Sequence, residues 1–414
     1  MAKNLAVILS SRTLSSLHNP GYRTYFLGVL GQFASMSMSM VVNSLLIYRL
    51  TGSSAMLGTV SLANAFPMLI TSLFGGAFAD RVQKKRLLMF GMMASSMVSL
   101  AIAIALVTGF MSEEHEWSAW LLVGSSFLMG CIFGVMMPAR QAIIPELVSR
   151  EQTMNAVALN MLGMNTLILL GPAVAGFMID AFDFASTYFA MTGLTLYGSI
   201  MIGFVKNTSP VKTTRTSILG DIRDGFSYIR RDRTIMFVLG FTTLAVVFSM
   251  PFQQLLPIYT EDILKVGATG LGLLLSVSGV GALVASLALA SLPNRRRGIF
   301  LLSGGIVLGL GLLAFAFSSA WILSLVTVVF IGLGQTMRGT LGGALLQSYT
   351  EPAYMGRVMS LMMMQFGVMS IMTFIAGITA EYVPVQYVVG GLATILLIST
   401  MLSMAARPDI RRLD

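Results

Sequence analysis

The sequence predicts an all-α membrane protein in which twelve transmembrane helices form two pseudo-symmetric six-helix bundles. Three observations carry that expectation. Hydrophobic residues make up 56% of the chain and charged residues only 10%. The apolar residues gather into twelve stretches long enough to span a bilayer. The basic residues fall almost entirely on one side of the membrane once those stretches are threaded through it.

Soluble domains carry about a quarter charged residues, so this chain lacks the polar material for a water-facing coat. One core cannot absorb so much apolar sequence either, and lipid is the remaining solvent. A single cysteine, Cys131, excludes an internal disulfide framework and a multi-cysteine metal cluster. The two histidines, His18 and His115, fall in polar connecting segments. The apolar run LAVIL near the N-terminus is too short for the core of a secretory signal.

A spanning helix needs about 20 mostly apolar residues. The sequence offers them at 24–48, 56–79, 87–109, 118–138, 155–179, 185–205, 235–258, 268–291, 299–317, 321–344, 357–380 and 386–405. Loops of membrane proteins carry excess Lys and Arg on the cytoplasmic side. With both termini placed there, only Arg49 and Lys265 of the 26 basic residues fall outside, against eight of the 17 acidic ones. The outer face then carries −6 and the inner face +15. A miscounted helix scatters such charges. The basic balance thus reflects membrane orientation and calls for no nucleic-acid partner.

Residues 206–234 form a long basic connection between six spans (1–205) and six more (235–414). Within it Ile218, Ile222, Phe226 and Ile229 recur at helical spacing. That pattern suits an interfacial amphipathic helix or a solvated linker helix. Internal similarity points to duplication: MNAVALNML at 154–162 is matched by MGRVMSLMM at 355–363, and Lys84-Lys85-Arg86 by Arg295-Arg296-Arg297. Repeats of this kind place a binding site near the bilayer midplane.

The connection between the second and third spans reads GGAFADRVQKKR. It resembles the signature loop G-x-x-x-D-R-x-G-R-R of the major facilitator superfamily, through Gly76, Asp80, Arg81, Lys84 and Lys85, with Gln83 in place of a glycine. The resemblance implies the major facilitator fold and a gating role for this loop. Physically, Gly76 permits close helix approach, Asp80 can meet an arginine or a helix N-terminus, and the basic run suits an anionic leaflet. The superfamily also places the ends of the second and fourth helices side by side. That implies an Asp80–Arg140 pair, with Arg357 nearby at the start of the eleventh helix.

In the fifth span, Gly171-Pro172-Ala173-Val174-Ala175-Gly176 is similar to the glycine–proline motif of exporters of that superfamily, with Ala175 replacing a glycine. PARQAIIPELV (138–148) and NAVALN (155–160) resemble the macrolide-efflux and siderophore-exporter branch. Where proton-coupled drug antiporters have an arginine three residues before a glycine in the fourth helix, this chain has Phe127 before Gly130.

Ionisable residues in mid-membrane mark functional sites, and this chain has almost none. Arg140 and Arg338 fall near the inner ends of the fourth and tenth spans, Asp180 and Glu381 near outer ends. The polar candidates for a substrate cavity are Gln32, Asn43, Asn165, Gln253, Gln254 and Gln365. Each has an equally ordinary use as a helix–helix hydrogen bond. The methionines of the first and eleventh spans, such as Met36, Met38, Met40, Met362 and Met363, suit adaptable packing better than copper(I) ligation, since neither cysteine nor histidine supports them.

The resulting expectation is a secondary active transporter that exports hydrophobic or amphiphilic small molecules. It acts as a monomer in a bacterial-type inner membrane, with lipid neighbours and a proton or sodium as coupling ion. No cofactor, metal site or enzymatic machinery is expected, since the sequence has no nucleophile–base pair, metal-ligand cluster or P-loop. A lysolipid translocator, a nutrient importer of the same fold and a non-transporting receptor are the competing readings.

Overall fold

The computed structural model describes residues 15–205, 226–291, 296–352, 354–406 and Leu413, apart from the side chains of 73–81. Every regular element among them is a helix. A 3₁₀ turn at Ser15–His18 precedes α1 (Pro20–Thr51), α2 (Ser54–Arg81), α3 (Lys84–Val107), α4 (Trp117–Leu147), α5 (Arg150–Ala181) and α6 (Phe184–Gly203). After the central connection come α7 (Arg233–Ile263), α8 (Gly267–Ser291), α9 (Arg297–Ala316), α10 (Trp321–Tyr349), α11 (Met355–Tyr382) and α12 (Val385–Ala406).

Eleven of these helices are long and apolar enough to cross a membrane, and the chain is an integral membrane protein. The exception is α6, twenty residues long and rich in hydroxyls. Several helices outrun the predicted spans, because hydropathy marks the lipid slab whereas a helix continues into the headgroups. Thus α4 extends through PARQAIIPEL to Leu147, and α10 reaches Tyr349, five residues beyond the predicted 344. Large apolar side chains such as Phe90, Trp120, Leu287 and Ile322 are exposed on the helix surfaces, as lipid contact requires.

Two compact units result: Met1–Leu46 with Phe66–Thr214, and Ile47–Ala65 with Arg215–Asp414. The last turn of α1 and the first half of α2 therefore belong to the second unit. In the first unit α3 packs on α4 and α6. α1 crosses α6 at Gly28 and Gly198 so closely that a Cβ on either would lie 2.6–2.9 Å from the other's carbonyl oxygen. The core of this unit joins Tyr22, Tyr25, Phe33, Leu88, Met92, Met136 and Ile143. In the second unit α9 packs on α10 and α12, and α7 packs on α10, α11 and α12. Its core includes Ile235, Phe241, Leu301, Leu345 and Val358.

Two helices are broken, and the break in α7 has a local cause. Pro251 has no N–H to offer, which interrupts α7 after Ser249. The same helix ends in a π turn at Tyr259–Ile263, where the Leu264 N–H donates to the Tyr259 carbonyl at 2.7 Å. Lys265 and Gly267, both at positive φ, then stop it. α11 is interrupted at Met364, between Met363 and Gln365.

Candidate functional site

The signature loop is visible at its C-terminal end. Lys84 opens α3, is 4% exposed, and forms an ion pair with Glu146 near the end of α4. A buried lysine needs such a partner, because desolvating a lone ammonium is costly. Lys85 beside it is half-buried. The side chains of Gly76, Asp80 and Arg81 lie outside the described residues, as do Ile218 and Ile222 of the central connection.

Arg140 is half-buried in the first unit. Its guanidinium lies over the Phe33 ring at 4.8 Å, and its Nη2 contacts Met137 Sδ at 3.1 Å. Its carbonyl accepts from Tyr25 Oη at 3.2 Å. Tyr22 Oη donates to the Ala156 carbonyl at 2.6 Å, Asn19 Nδ2 to the Leu147 carbonyl at 2.7 Å, and Ser15 to the Asn155 side chain at 3.2 Å. The two segments PARQAIIPELV and NAVALN are therefore tied by the start of α1 into one bonded corner. In the second unit Arg357 stands over the Tyr354 ring at 5.3 Å.

The helix-5 motif is a packing surface. Gly171, Pro172 and Gly176 are all buried. A Cβ on Gly171 would come within 1.9 Å of Ser37 Oγ on α1, and one on Gly163 within 2.7 Å of Leu30. α5 meets α1 at these two small residues, two turns apart.

The six polar candidates have distinct surroundings. Asn43 accepts the Tyr188 hydroxyl at 2.6 Å and so joins α1 to α6. Gln32 is buried; its Nε2 faces Met136 Sδ at 3.8 Å and its Oε1 has no partner among the described residues. Gln365 is buried with an unpartnered Oε1, directly after the break in α11. Gln253 and Gln254 are half-buried, directly after the break in α7, and Asn165 is exposed. Because α10 extends to Tyr349, Arg338 stands eleven residues, three turns, before the helix end, and it is 6% exposed.

A cluster in the second unit was missed by sequence reasoning. Arg49 Nη2 donates to Glu261 Oε1 at 2.9 Å, and Tyr48 Oη donates to Asp262. Both carboxylates sit on the π turn of α7, which Tyr259 anchors by donating to the Ala316 and Val385 carbonyls at 3.4 Å each. Glu381, near the end of α11, accepts from the Ala55 N–H at 2.8 Å and from the Ser53 hydroxyl. Ser54 Oγ donates to the Gly377 carbonyl at 2.9 Å. The α1–α2 corner is thus latched to α7 and α11 through three carboxylates. A signal was present: Arg49 is one of two basic residues assigned to the outer face, in a sequence that places eight acids there.

The architecture matches that of solved transporters. A POT family transporter in complex with 5-aminolevulinic acid superposes with a TM-score of 0.74, covering 94% of this chain and 96% of its own, at 12% identity. The protein is a membrane transporter of the major facilitator type. More particularly, it belongs to the transmembrane secretion effector family, whose model matches residues 11–412. Among curated relatives, the staphyloferrin A transporter of Staphylococcus aureus is 25% identical over 78% of this chain and 81% of its own length. Macrolide efflux protein A of Streptococcus pyogenes is 22% identical over 80% and 82%. The resemblance to the macrolide-efflux and siderophore-exporter branch, drawn from residues 138–160, is borne out.

Proposed function

We propose that the protein is a twelve-span exporter that moves hydrophobic or amphiphilic small molecules, drug-like or siderophore-like, out of the cell by alternating access. It works as a monomer in the bacterial inner membrane with both termini in the cytoplasm, driven by a proton or sodium gradient. The substrate class is supported by the relatives' names and by the scarcity of charge within the spans. Apolar walls with few polar groups suit amphiphiles.

The observation that carries the alternating-access reading is the latch of Arg49, Tyr48, Ser53 and Ser54 on Glu261, Asp262, Glu381 and Gly377. It joins the N-terminal spans to the C-terminal ones through a few polar contacts on the outer side. Such contacts are strong enough to bias two conformations and few enough to break in each cycle, since a bias of a few kcal/mol redistributes two states almost completely. On the inner side the gate comprises Gly76, Asp80, Arg81, Lys84 and Lys85 with Arg140 and Arg357. Gln32, Asn43, Asn165, Gln253, Gln254 and Gln365 remain the cavity candidates.

The test is accumulation in energised cells expressing the protein. A labelled macrolide and a labelled carboxylate siderophore are each measured with and without an uncoupler. Export predicts lower accumulation of at least one, restored by the uncoupler. Unchanged or raised accumulation of both removes the export reading. A lysolipid translocator is the second reading. It is favoured by an apolar groove of about 560 Å³ in the first unit, lined by Phe26, Leu30, Leu162, Leu167 and Tyr197.

A further inference from the structure

Arg338 is a buried cation that packing alone does not account for. It stands three turns inside α10, roughly 16 Å from the helix end at 1.5 Å per residue. Its Nη1 donates to the Thr242 carbonyl on α7 at 3.3 Å, and its Nε has no partner. The two ion pairs among the described residues, Arg49–Glu261 and Lys84–Glu146, do not involve it. One turn earlier on the same helix, Gln335 Nε2 is also buried and without a partner. Residues three apart lie on one helix face, so this stretch of α10 presents two adjacent side-chain donors with no matching acceptor.

The backbone that carries them is held tightly. Gly342, one turn after Arg338, approaches α7 so closely that a Cβ there would lie 2.4 Å from Thr242 Cγ2. On the other side, a Cβ on Gly304 of α9 would lie 2.8 Å from Met337 Cβ and 3.3 Å from the Arg338 nitrogen. α10 is clamped between α7 and α9 by small residues, so the backbone that carries Arg338 is held in place without an ion pair. An arginine stays protonated in proteins. A buried arginine with an unused Nε–H beside an unused amide NH₂ is chemically an oxyanion receptor, and an arginine's planar donor set suits a carboxylate. Charged residues within spans mark substrate pathways.

We infer that Arg338, assisted by Gln335, binds the carboxylate of an anionic amphiphile carried by this protein. The inference rests on the export reading and sharpens it: the preferred substrates bear a carboxylate, and neutral amphiphiles use the same walls without this contact.

The test measures binding of pyrenebutyrate and its neutral counterpart pyrenebutanol to the purified full-length protein, by pyrene fluorescence in liposomes of zwitterionic lipid. The wild type should hold the acid about tenfold or more tightly than the alcohol, the worth of one charge-assisted contact. Arg338→Gln should bring the two affinities together with alcohol binding unchanged, Arg338→Lys should keep part of the preference, and Gln335→Leu should weaken it. Equal preference in the wild type and Arg338→Gln overturns the site. If Arg338→Gln does not fold, the Lys and Gln335→Leu variants decide by the same criterion. The assay is repeated with anionic lipid added to the liposomes. Loss of the acid's preference there assigns the site to a lipid headgroup and overturns the substrate assignment. Binding is read without transport, so failure of export leaves this result standing. Conversely, export of a neutral amphiphile by Arg338→Gln leaves the export reading intact if the anion site fails.

Discussion

Arg49 at the end of α1 donates to Glu261 on the π turn of α7 at 2.9 Å, bonding residues 212 apart in sequence at the end the charge pattern assigns to the outside. A π turn is a frequent device at functional sites. Here it turns Glu261 and Asp262 together toward the α1–α2 corner, where Tyr48 takes the second carboxylate.

Both members of this pair are partly exposed, so its contribution to folding is small, and its weight falls on the balance between conformations. Arg49→Glu should repel Glu261 and favour an outward-open state. The double exchange Arg49→Glu with Glu261→Arg should restore the original balance. Distances between spin labels at Glu114 and Tyr382, exposed residues outside the latch, check this: lengthening in the single variant and return in the double. No change in the single variant means that the pair does not gate.

Lys84 and Glu146 pair within the first unit, and the burial of Lys84 changes the arithmetic. Lys84 is buried whereas Glu146 is exposed. Removing Glu146 thus strands the ammonium away from water at a cost of about 3–5 kcal/mol, and removing Lys84 leaves a carboxylate that water can reach. Glu146→Leu should therefore lower the melting temperature in detergent markedly, and Lys84→Met much less. Lys84→Met with Glu146→Leu should recover most of the loss, since an apolar pair of similar volume is often neutral there. Additive losses in the double variant would show that the two residues do not act as a pair.

Gly171 sits where a Cβ would come within 1.9 Å of Ser37 Oγ, so even alanine forces the α1–α5 contact to shift. Gly171→Ala should lower transport and stability together, and Gly171→Val should do so more, by about 1–3 kcal/mol for overpacking. Ser37→Gly removes the colliding side chain and should rescue Gly171→Ala. Without rescue in a melting and transport assay, the glycine has a purpose other than room.

Much of the fold was legible because it follows from two coarse variables, apolar length and the sidedness of Lys and Arg. Helix ends were legible to a few residues; the extensions of α4 and α10 lie in headgroup territory, where hydropathy falls silent. The loop motif singled out Lys84 but gave no sign of Glu146 as its partner, since 62 positions separate them. The outer latch was harder. Arg49, Glu261, Asp262 and Glu381 read in sequence as topogenic charges, and only the fold brings their three distant segments together. Asn43 read equally as a cavity residue or a helix–helix hydrogen bond, and Tyr188 donates to its side-chain carbonyl. Gln335 carried no sequence signal, because one glutamine in an apolar helix does not reveal whether its amide is satisfied.

The last prediction concerns α6, the one long helix that falls short in apolarity. Its hydroxyls explain the shortfall and also answer the objection it raises. Thr187, Thr192 and Thr195 donate to the carbonyls of Asp183, Tyr188 and Met191, each four residues back, and Ser199 donates to the Met89 carbonyl on α3 at 2.9 Å. A hydroxyl bonded to its own helix or its neighbour presents little polarity to lipid, which is the condition for a span. These four residues are also buried rather than lipid-facing, and Asp183 caps the helix by accepting from the Ser186 N–H. α6 should therefore cross the membrane, giving twelve spans. With Cys131 replaced by serine, cysteines at Glu114, between α3 and α4, and at Arg231, before α7, are separated by three helices. If all three cross, an impermeant thiol reagent outside intact cells labels the cysteine at 114 and leaves that at 231 untouched until the membrane is opened. If α6 lies in the interface instead, both positions share a side and are labelled or protected together, and the twelve-span reading falls.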